Sequence, residues 1–351
     1  MHGLPCIERD WFAPECSQNF GMQPVVPTRT AAAAQRQGYK QQILAQIKDT
    51  LKAIGPVFDD ESVQEIMVNA PHEVFVSRRG KVTKLAVPLS AGEISAAITL
   101  IATLVAREVG DKSNQRILSG RLPGFRVEAI LPPVAVNGPS MCIRRHASRV
   151  FSLEEYVASG VISEKYAQLL SDAVSKRENF LIVGGTGSGK TTLMNTALTL
   201  MPKEQRLFVI ESVQELQVQA ENHVLIECDE DQGVTPRKAV RTAMRYAPDR
   251  IILGELRGPE AYDWKDASNT GHPGGAATIH ANSAKQGLPR LENLLLMASM
   301  GVPYEPLRVS IGETIQWLFY IERHGSSRTV SQVSRLYGFD RARGEYELEH
   351  L

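Results

Sequence analysis

The sequence has few cysteines. It contains four in 351 residues, Cys6, Cys16, Cys142 and Cys228, and none of them forms a C-x-x-C motif or has a histidine at metal-ligand spacing. Disulfide frameworks and structural zinc sites need paired or closely spaced ligands. The pattern therefore argues against both and favours a reducing, cytoplasmic location.

Long apolar runs are also missing. The longest, Ile94–Ala106, spans about 13 residues and is interrupted by Ser95, Thr99 and Thr103, whereas a membrane-spanning helix needs roughly 20. The first ten residues carry acidic charge and lack the apolar core of a signal peptide. We therefore expect a soluble or peripheral protein.

The chain has no net charge. It contains 39 basic and 39 acidic residues, and this balance argues against direct nucleic-acid binding, which is typical of strongly basic surfaces. Residues 1–150 contain 18 basic and 13 acidic residues, and the remainder contains 21 and 26. This difference is expected if the front half meets an acidic partner or an anionic membrane, and equally if both halves are ordinary solvated surfaces.

Length and composition predict two globular domains behind a tail. With 43% hydrophobic residues the chain can build a sizeable core, and about 150 residues per domain suggests two domains, with one large domain as the alternative. Residues 1–38 contain four prolines but no hydrophobic period, so we interpret them as a poorly ordered tail.

Residues 39–150 are predicted to form a small α+β domain. Apolar residues recur at helical spacing twice, and the second series follows a capping-box motif, Ser90-x-x-Glu93. Ser62-x-x-Glu65 has the same pattern and is interpreted as the cap of a short turn. The predicted helices are 39–54 and Ile94–Arg107, and the predicted strands are Glu73–Ser77, Val82–Leu89, Phe125–Leu131 and Met141–Arg145.

Residues 151–351 alternate between short, continuously apolar runs and helical patterns. This alternation predicts an α/β domain with a parallel sheet covered on both faces. The predicted strands are Phe180–Val183, Leu207–Ile210, Ile251–Gly254 and Ala277–His280, and helices are predicted over Ser163–Lys176 and from Lys190, Thr235, Pro259 and Ala284.

The strongest motif is a phosphate-binding loop of the pattern G-x-x-x-x-G-K-[ST]. It consists of Gly184, Gly185, Thr186, Gly187, Ser188, Gly189, Lys190 and Thr191. In such loops the backbone N–H groups and the following helix N-terminus face a bound phosphate. We expect Lys190 to reach the β- and γ-phosphates and the Thr191 hydroxyl to bind Mg²⁺, with Thr192 completing the nucleotide contacts. The predicted ligands are therefore ATP and Mg²⁺.

Hydrolysis needs acidic groups at the same sheet edge. Glu255 follows the apolar strand Ile251–Gly254 and is the predicted water-polarising residue. Glu211 follows another apolar strand, and Glu215 lies four residues further on. Both are interpreted as groups that help to hold Mg²⁺ or the attacking water. For Glu215 a plain surface charge is an equally good interpretation.

Two histidines bracket a glycine-rich segment. His272 lies in the loop Gly271–Gly275, and His280 ends the predicted strand that follows. At the expected sheet edge they are interpreted as γ-phosphate sensors, although ordinary packed histidines would give the same pattern.

Four sequence blocks together resemble the secretion-superfamily ATPases, the hexameric motors of type II and type IV secretion and of type IV pili. The blocks are residues 184–192, 210–215, 250–258 and 271–283. The resemblance covers roughly residues 40–340 and is greatest to conjugal-transfer ATPases of the TrbB type, because the tetracysteine insert of many type II motors is missing.

The resemblance implies a smaller front domain joined to a RecA-like P-loop NTPase domain, with ATP between them, and two stacked rings in a hexamer. It also implies that two arginines of the front domain approach the phosphates, namely Arg126 and either Arg144 or its neighbour Arg145. One position departs from the family pattern, because Ser212 stands where the family usually has Asp. Arg241, Arg245 and Arg257 lie near the predicted active-site edge and are not ranked by the sequence.

The implied function is an ATPase that powers a secretion or conjugation apparatus through closure between its two domains. Such a protein would be cytoplasmic and peripheral to the inner membrane, with that membrane's secretion machinery as its partner. A type IV pilus or type II secretion motor, a RecA-like nucleic-acid motor, and a scaffold that binds ATP with little turnover are the alternatives.

Overall fold

The computed structural model describes residues 29–351, apart from 79, 111, 112, 114, 147, 148, 299 and 326. Helix α1 covers Arg29–Thr50 and therefore begins inside the segment that was predicted to be a tail. Residues 1–28 lie outside the described residues, so the tail prediction for them stays a prediction.

The front part of the described chain combines helices with antiparallel strands. Its elements are α1, β1 (Val63–Ala70), β2 (Glu73–Arg78), β3 (Lys81–Leu85), α2 (Ala91–Leu104), β4 (Ile117–Leu122), β5 (Phe125–Ile130) and β6 (Ser140–Arg145). The capping box of α2 forms as the sequence predicts, because the Ser90 side chain accepts from the Glu93 N–H and the Glu93 carboxylate accepts from the Ser90 N–H.

The front sheet has the strand order β3-β2-β1-β6-β5-β4, and all neighbouring pairs are antiparallel. Helices α1 and α2 pack together, and α2 lies against β4 and β6. Ile47 of α1, Ile98 of α2 and Val127 of β5 are fully buried in this layer. The opposite face carries mainly polar side chains, including Arg121, Arg126 and Arg144.

The back part of the chain begins with two helices and then alternates between strands and helices. Its elements are α3 (Leu153–Ala158), α4 (Glu164–Ser175), β7 (Phe180–Val183), α5 (Lys190–Thr199), β8 (Leu207–Glu211), β9 (His223–Glu227), α6 (Pro236–Ala243), β10 (Arg250–Leu256), α7 (Glu260–Asn269), β11 (Ala276–Ile279), α8 (Ala284–Leu296), α9 (Tyr304–Thr314), β12 (Trp317–His324), β13 (Ser327–Asp340) and β14 (Glu345–His350).

The back sheet has the order β14-β13-β12-β7-β11-β10-β8-β9. The six strands from β12 to β9 are parallel, as the alternating pattern predicts. Successive side chains of β7 enter different layers, with Leu181 and Val183 on one face and Phe180 and Ile182 on the other. A strand buried on both faces explains why β7 is apolar at every position.

The C-terminal edge of this sheet is antiparallel, which the sequence analysis did not predict. β13 pairs with β12 and β14 pairs with β13, both in antiparallel register. β12 extends beyond β7, because only Trp317 to Tyr320 pair with β7 and the rest of β12 pairs with the start of β13.

Among the described residues, ion pairs join the front and back parts. Arg121 of β4 lies 2.6 Å from Glu227 at the end of β9. Arg107, just after α2, lies 2.8 Å from Asp229. The Arg121 pair places this mainly polar face of the front sheet against the end of the back sheet where the parallel strands β8 and β9 finish, and the Arg107 pair lies at the same end.

Asn179 connects the amino-terminal ends of the neighbouring strands β7, β11 and β12. Its side chain is buried, accepts a hydrogen bond from the Gly275 N–H at 2.8 Å, and donates to the Thr314 carbonyl at 2.7 Å. The Gln316 N–H donates to the Asn179 carbonyl at 3.0 Å. Asn179 thereby connects β7 with the residues that precede β11 and β12.

We predict that Asn179→Leu lowers the free energy of unfolding by about 2–4 kcal/mol, because it leaves a buried N–H and a buried carbonyl without partners. Urea denaturation measures the change. The matched control is Asn222→Leu at an exposed position, which should change stability by less than about 0.5 kcal/mol. Equal stability of the two variants would contradict this role of Asn179.

Candidate functional site

The phosphate-binding loop joins the end of β7 to the first turn of α5. Gly187 and Gly189 have φ values of +69° and +103°, and Gly189 is the N-cap of α5. A Cβ on Gly184 would overlap the Ile321 carbonyl and lie 2.6 Å from Ser188 Oγ. Glycine is therefore required at these positions, either by backbone conformation or by close packing.

The Lys190 side chain forms hydrogen bonds with the first residues of the loop. Its Nζ donates to the carbonyls of Gly184 and Gly185 at 3.0 and 2.9 Å. Burial lowers the pKa of Lys190 to about 8, while the nearby Glu255 charge acts in the opposite direction. A buried cation held mainly by neutral carbonyls has much to gain from an anion placed in the loop.

Ser188 provides a further sign that the loop fits an anion. Its Oγ is buried and has no hydrogen-bond partner among the described residues. A hydroxyl buried in this way costs free energy unless a ligand or water contacts it. The glycine-rich backbone, the lysine and this hydroxyl together match the chemistry of a bound phosphate chain.

Glu255 lies at the centre of a chain of charged groups. Its Oε2 accepts from Arg257 Nη2 at 2.6 Å, and its Oε1 lies 2.9 Å from His280 Nε2. His280 Nε2 in turn lies 3.3 Å from Lys190 Nζ. Burial lowers the pKa of His280, and the Lys190 charge lowers it further. The arrangement holds a partly exposed carboxylate next to the phosphate loop.

Strand register brings these residues together. β11 pairs with β7 so that Ile279 is opposite Val183, and it pairs with β10 so that Leu256 is opposite Ile279. The carboxyl ends of the three strands therefore meet at one sheet edge. Thr278 reinforces this edge, because its hydroxyl donates to the Gly254 carbonyl at 2.6 Å.

Glu211 is buried at the end of β8 and is held by the loop that follows it. Its Oε1 accepts from the N–H groups of Glu215 and Leu216 at 3.0 and 3.1 Å. Burial raises the pKa of Glu211 to about 7, against these two hydrogen bonds. The geometry makes Glu211 an anchor for the loop after β8. Glu215 lies on that loop, and its charge acts on Arg257.

His272 does not join His280, which corrects the expectation that both sense phosphate. Its Nδ1 lies 2.8 Å from the Pro248 carbonyl, before the start of β10, and thus at the sheet edge opposite to the phosphate loop. Gly274 of the glycine-rich segment packs against the fully buried Arg250, which donates to the Gly274 carbonyl at 3.3 Å. This packing explains Gly274 without a nucleotide.

Three arginines form a row across the front sheet. Arg121 pairs with Arg126 in the β4–β5 register, and Arg126 pairs with Arg144 in the β5–β6 register. Arg126 donates to Glu128 at 2.8 Å. The pKa of Lys190 is lowered mainly by burial, and the positive charge of Arg144 lowers it further. The sequence analysis named Arg126 and Arg144 but missed Arg121, which reaches Glu227 of the back sheet. The period-2 pattern of β4 was the signal that could have found it.

Two of the three unranked arginines, Arg257 and Arg241, lie in different places in the structure. Arg257 contacts Glu255 at the candidate site. Arg241 instead lies 2.6 Å from Asp263, between α6 and α7.

The described residues contain neither a cluster of metal-ligand side chains nor a helix that could span a membrane. Outside the gaps in 29–351, no three His, Cys, Asp or Glu side chains group as metal ligands. In the same part of the chain, every helix is too short or too polar to cross a membrane.

Comparison with known proteins gives one family. The family model described as "Type II/IV secretion system protein" matches residues 48–316. A probable conjugal transfer protein TrbB from Sinorhizobium fredii is 39% identical over 296 residues, which cover 83% of this chain and 88% of the relative. Protein VirB11 from Agrobacterium fabrum is 30% identical over 322 residues, which cover 82% of this chain and 93% of the relative.

Solved structures give the same fold. The X-ray structure of the ATPase DotB from Legionella pneumophila aligns with a TM-score of 0.56 at 18% identity, over 87% of this chain and 82% of that protein. At this identity the likeness concerns the fold alone.

We predict that Glu211→Gln changes how stability depends on pH. The raised pKa of Glu211 means that its contribution is fully present below pH 4.5 and is lost as pH rises through about 7. Wild-type protein should therefore lose about 2–3 kcal/mol of unfolding free energy between pH 5 and pH 8 from this group, and the variant should not.

Urea unfolding at the two pH values measures this difference. Glu221→Gln, at an exposed position on the same segment, is the control and should behave like wild type. A Glu211→Gln protein with the wild-type pH dependence would show that the Glu211 carboxyl does not titrate in this range.

Proposed function

The chain belongs to the type II/IV secretion system protein family, and on that premise we propose that it hydrolyses ATP to power conjugative transfer through a type IV secretion apparatus. The observation that carries the proposal is the contact chain Arg257–Glu255–His280–Lys190 beside a complete phosphate loop. The name of the TrbB relative, a probable conjugal transfer protein, supports the conjugative setting.

The loop residues Gly185 to Thr192 bind the triphosphate in this proposal. Lys190 exchanges its contacts with the Gly184 and Gly185 carbonyls for contacts with β- and γ-phosphate oxygens. The exchange is favourable because a buried ammonium gains charge-assisted hydrogen bonds in place of neutral ones. Ser188 Oγ, which is otherwise unpartnered among the described residues, gains an acceptor.

Glu255 is the residue that orients the attacking water. Its two oxygens are already held by Arg257 and His280, so the carboxylate has a defined direction before substrate binds. Positioning of this kind supplies much of the rate in phosphoryl transfer. His280 bridges Glu255 to Lys190 and is therefore placed to respond to the γ-phosphate.

Mg²⁺ would be held by hard oxygen donors near the β- and γ-phosphates. The Thr191 hydroxyl, in the first turn of α5, is the candidate ligand. Glu215, on the loop that Glu211 anchors, supplies a carboxylate directly or through water. The ion would neutralise charge that develops on the phosphoryl group.

The front domain takes part through its arginine row. The positive charge of Arg144 contributes to the lowered pKa of Lys190, and Arg126 is the cross-strand neighbour of Arg144. Closure of the front domain, residues 39–150, onto the back domain, residues 151–351, would bring both cations toward the phosphates and link nucleotide state to domain position. In a hexamer at the cytoplasmic side of the inner membrane, this motion would act on the secretion machinery.

We predict that Glu255→Gln lowers kcat for ATP hydrolysis by about 100-fold or more, because it removes the charge that polarises water. Affinity for ATP should stay within about threefold of wild type, since the phosphate loop is untouched. Phosphate release and equilibrium nucleotide binding measure the two quantities. The control is Glu221→Gln, which should hydrolyse ATP at the wild-type rate. Equal rates for Glu255→Gln and wild type would remove Glu255 from the mechanism.

A further inference from the structure

The β12–β13 hairpin projects past the end of the central sheet. β7 stops at Val183, opposite Tyr320, and the chain there turns into the phosphate loop. β12 continues to His324, and β13 starts at Ser327. The tip of the hairpin therefore runs alongside the phosphate loop and forms one of its walls.

The contacts between this hairpin and the loop are close. A Cβ placed on Gly189 would lie 3.1 Å from Arg328 Cδ and 3.4 Å from Ile321 Cδ1. A Cβ placed on Gly187 would lie 3.6 Å from Arg323 Nη1. Two arginine side chains thus lie against the two loop glycines that have positive φ.

Arg323 also reaches the front domain. Its Nη2 occupies the space that a Cβ on Gly80 would take, at the turn between β2 and β3. Its Nε donates to the Gly325 carbonyl at 2.7 Å. This bond uses one of the five N–H donors of the guanidinium and holds the group across the hairpin tip, between the phosphate loop and the front sheet.

The hairpin lies on the side of the loop away from Glu255. In the sheet, β7 separates β12 from β11 and β10, and Glu255 and His280 come from those two strands. If the γ-phosphate faces Glu255, the rest of the nucleotide extends toward the hairpin. The α- and β-phosphates would then be next to Gly187 and Gly189, within reach of both arginines.

We propose that Arg323 and Arg328 bind the α- and β-phosphates of the nucleotide, as a second cationic wall opposite the Glu255 side. The proposal rests on the proposed ATPase function. It adds two residues whose affinity for a nucleotide depends on the charge of its phosphates. Guanidinium groups suit this task because they donate in pairs to phosphate oxygens. Since Arg323 also abuts Gly80, a bound diphosphate connects the loop, the hairpin and the front domain.

The test is calorimetric titration of ADP into the full chain. We expect Arg323→Gln and Arg328→Gln each to weaken ADP binding about tenfold, the amount that one charge-assisted hydrogen bond contributes. The KM for ATP should rise more than kcat falls. Arg323→Lys and Arg328→Lys should retain more affinity than the Gln variants, because they keep the charge.

The matched control is Arg341→Gln, an exposed arginine on the same sheet, in the turn after β13 at the other end of the strand. It should bind ADP like wild type. Salt provides a second readout that loss of structure would not imitate: ADP affinity of wild type should fall more steeply with ionic strength than that of the Gln variants.

Wild-type ADP affinity and salt dependence in both Gln variants would overturn the proposal while leaving the ATPase function intact. If the Gln variants do not fold, Arg323→Met and Arg328→Met, which keep the length of the side chain without its charge, take their place, and wild-type ADP affinity and salt dependence in both Met variants would overturn the proposal equally. Failure of wild-type protein to bind ADP would instead contradict the proposed function itself.

Discussion

The register of the parallel strands β7, β10 and β11 is the constraint on which the site depends. Because Val183, Leu256 and Ile279 finish at the same sheet edge, the phosphate loop, Glu255 and His280 become neighbours although they are far apart in sequence. A slip of one residue would move each side chain to the opposite face of its strand. Asn179 at the other edge, with its bonds to Gly275 and Thr314, helps to hold this register.

Burial at that edge shifts the pKa values of two ionisable groups in opposite directions. It lowers the pKa of Lys190 to about 8 and raises the pKa of Glu211 to about 7, since low dielectric disfavours the charged form of either. Lys190 is compensated partly by loop carbonyls and partly by Glu255, and Glu211 by the N–H groups of its own loop. In the proposed function a bound phosphate chain would pair with Lys190, and Glu211 would remain a structural anchor.

Short-range sequence patterns were sufficient to predict the features that depend on neighbouring residues. The phosphate loop, β7 and the capping box of α2 follow from short-range signals, and Glu255 and His280 follow from apolar strands that end in polar residues. The remaining features depend on pairing between strands that are distant in sequence, which short-range patterns do not reveal. Ser62-x-x-Glu65 looks like a helix cap, but residues 63–70 form β1 because they pair with β2 and β6. His272 looks like His280 in sequence, yet the strand between them places the two at opposite edges. The β12–β13 hairpin was missed, and with it Arg323 and Arg328.

The central claim is that the loop after Val183 binds a triphosphate through Lys190. Calorimetric titration of Mg²⁺ and a non-hydrolysable ATP analogue into wild type and Lys190→Ala tests it most directly, with thermal unfolding as the check on the fold. The account predicts saturable binding of one nucleotide per chain in wild type and its loss in a variant that remains folded. Absence of binding in folded wild-type protein, or undiminished binding by Lys190→Ala, would contradict it.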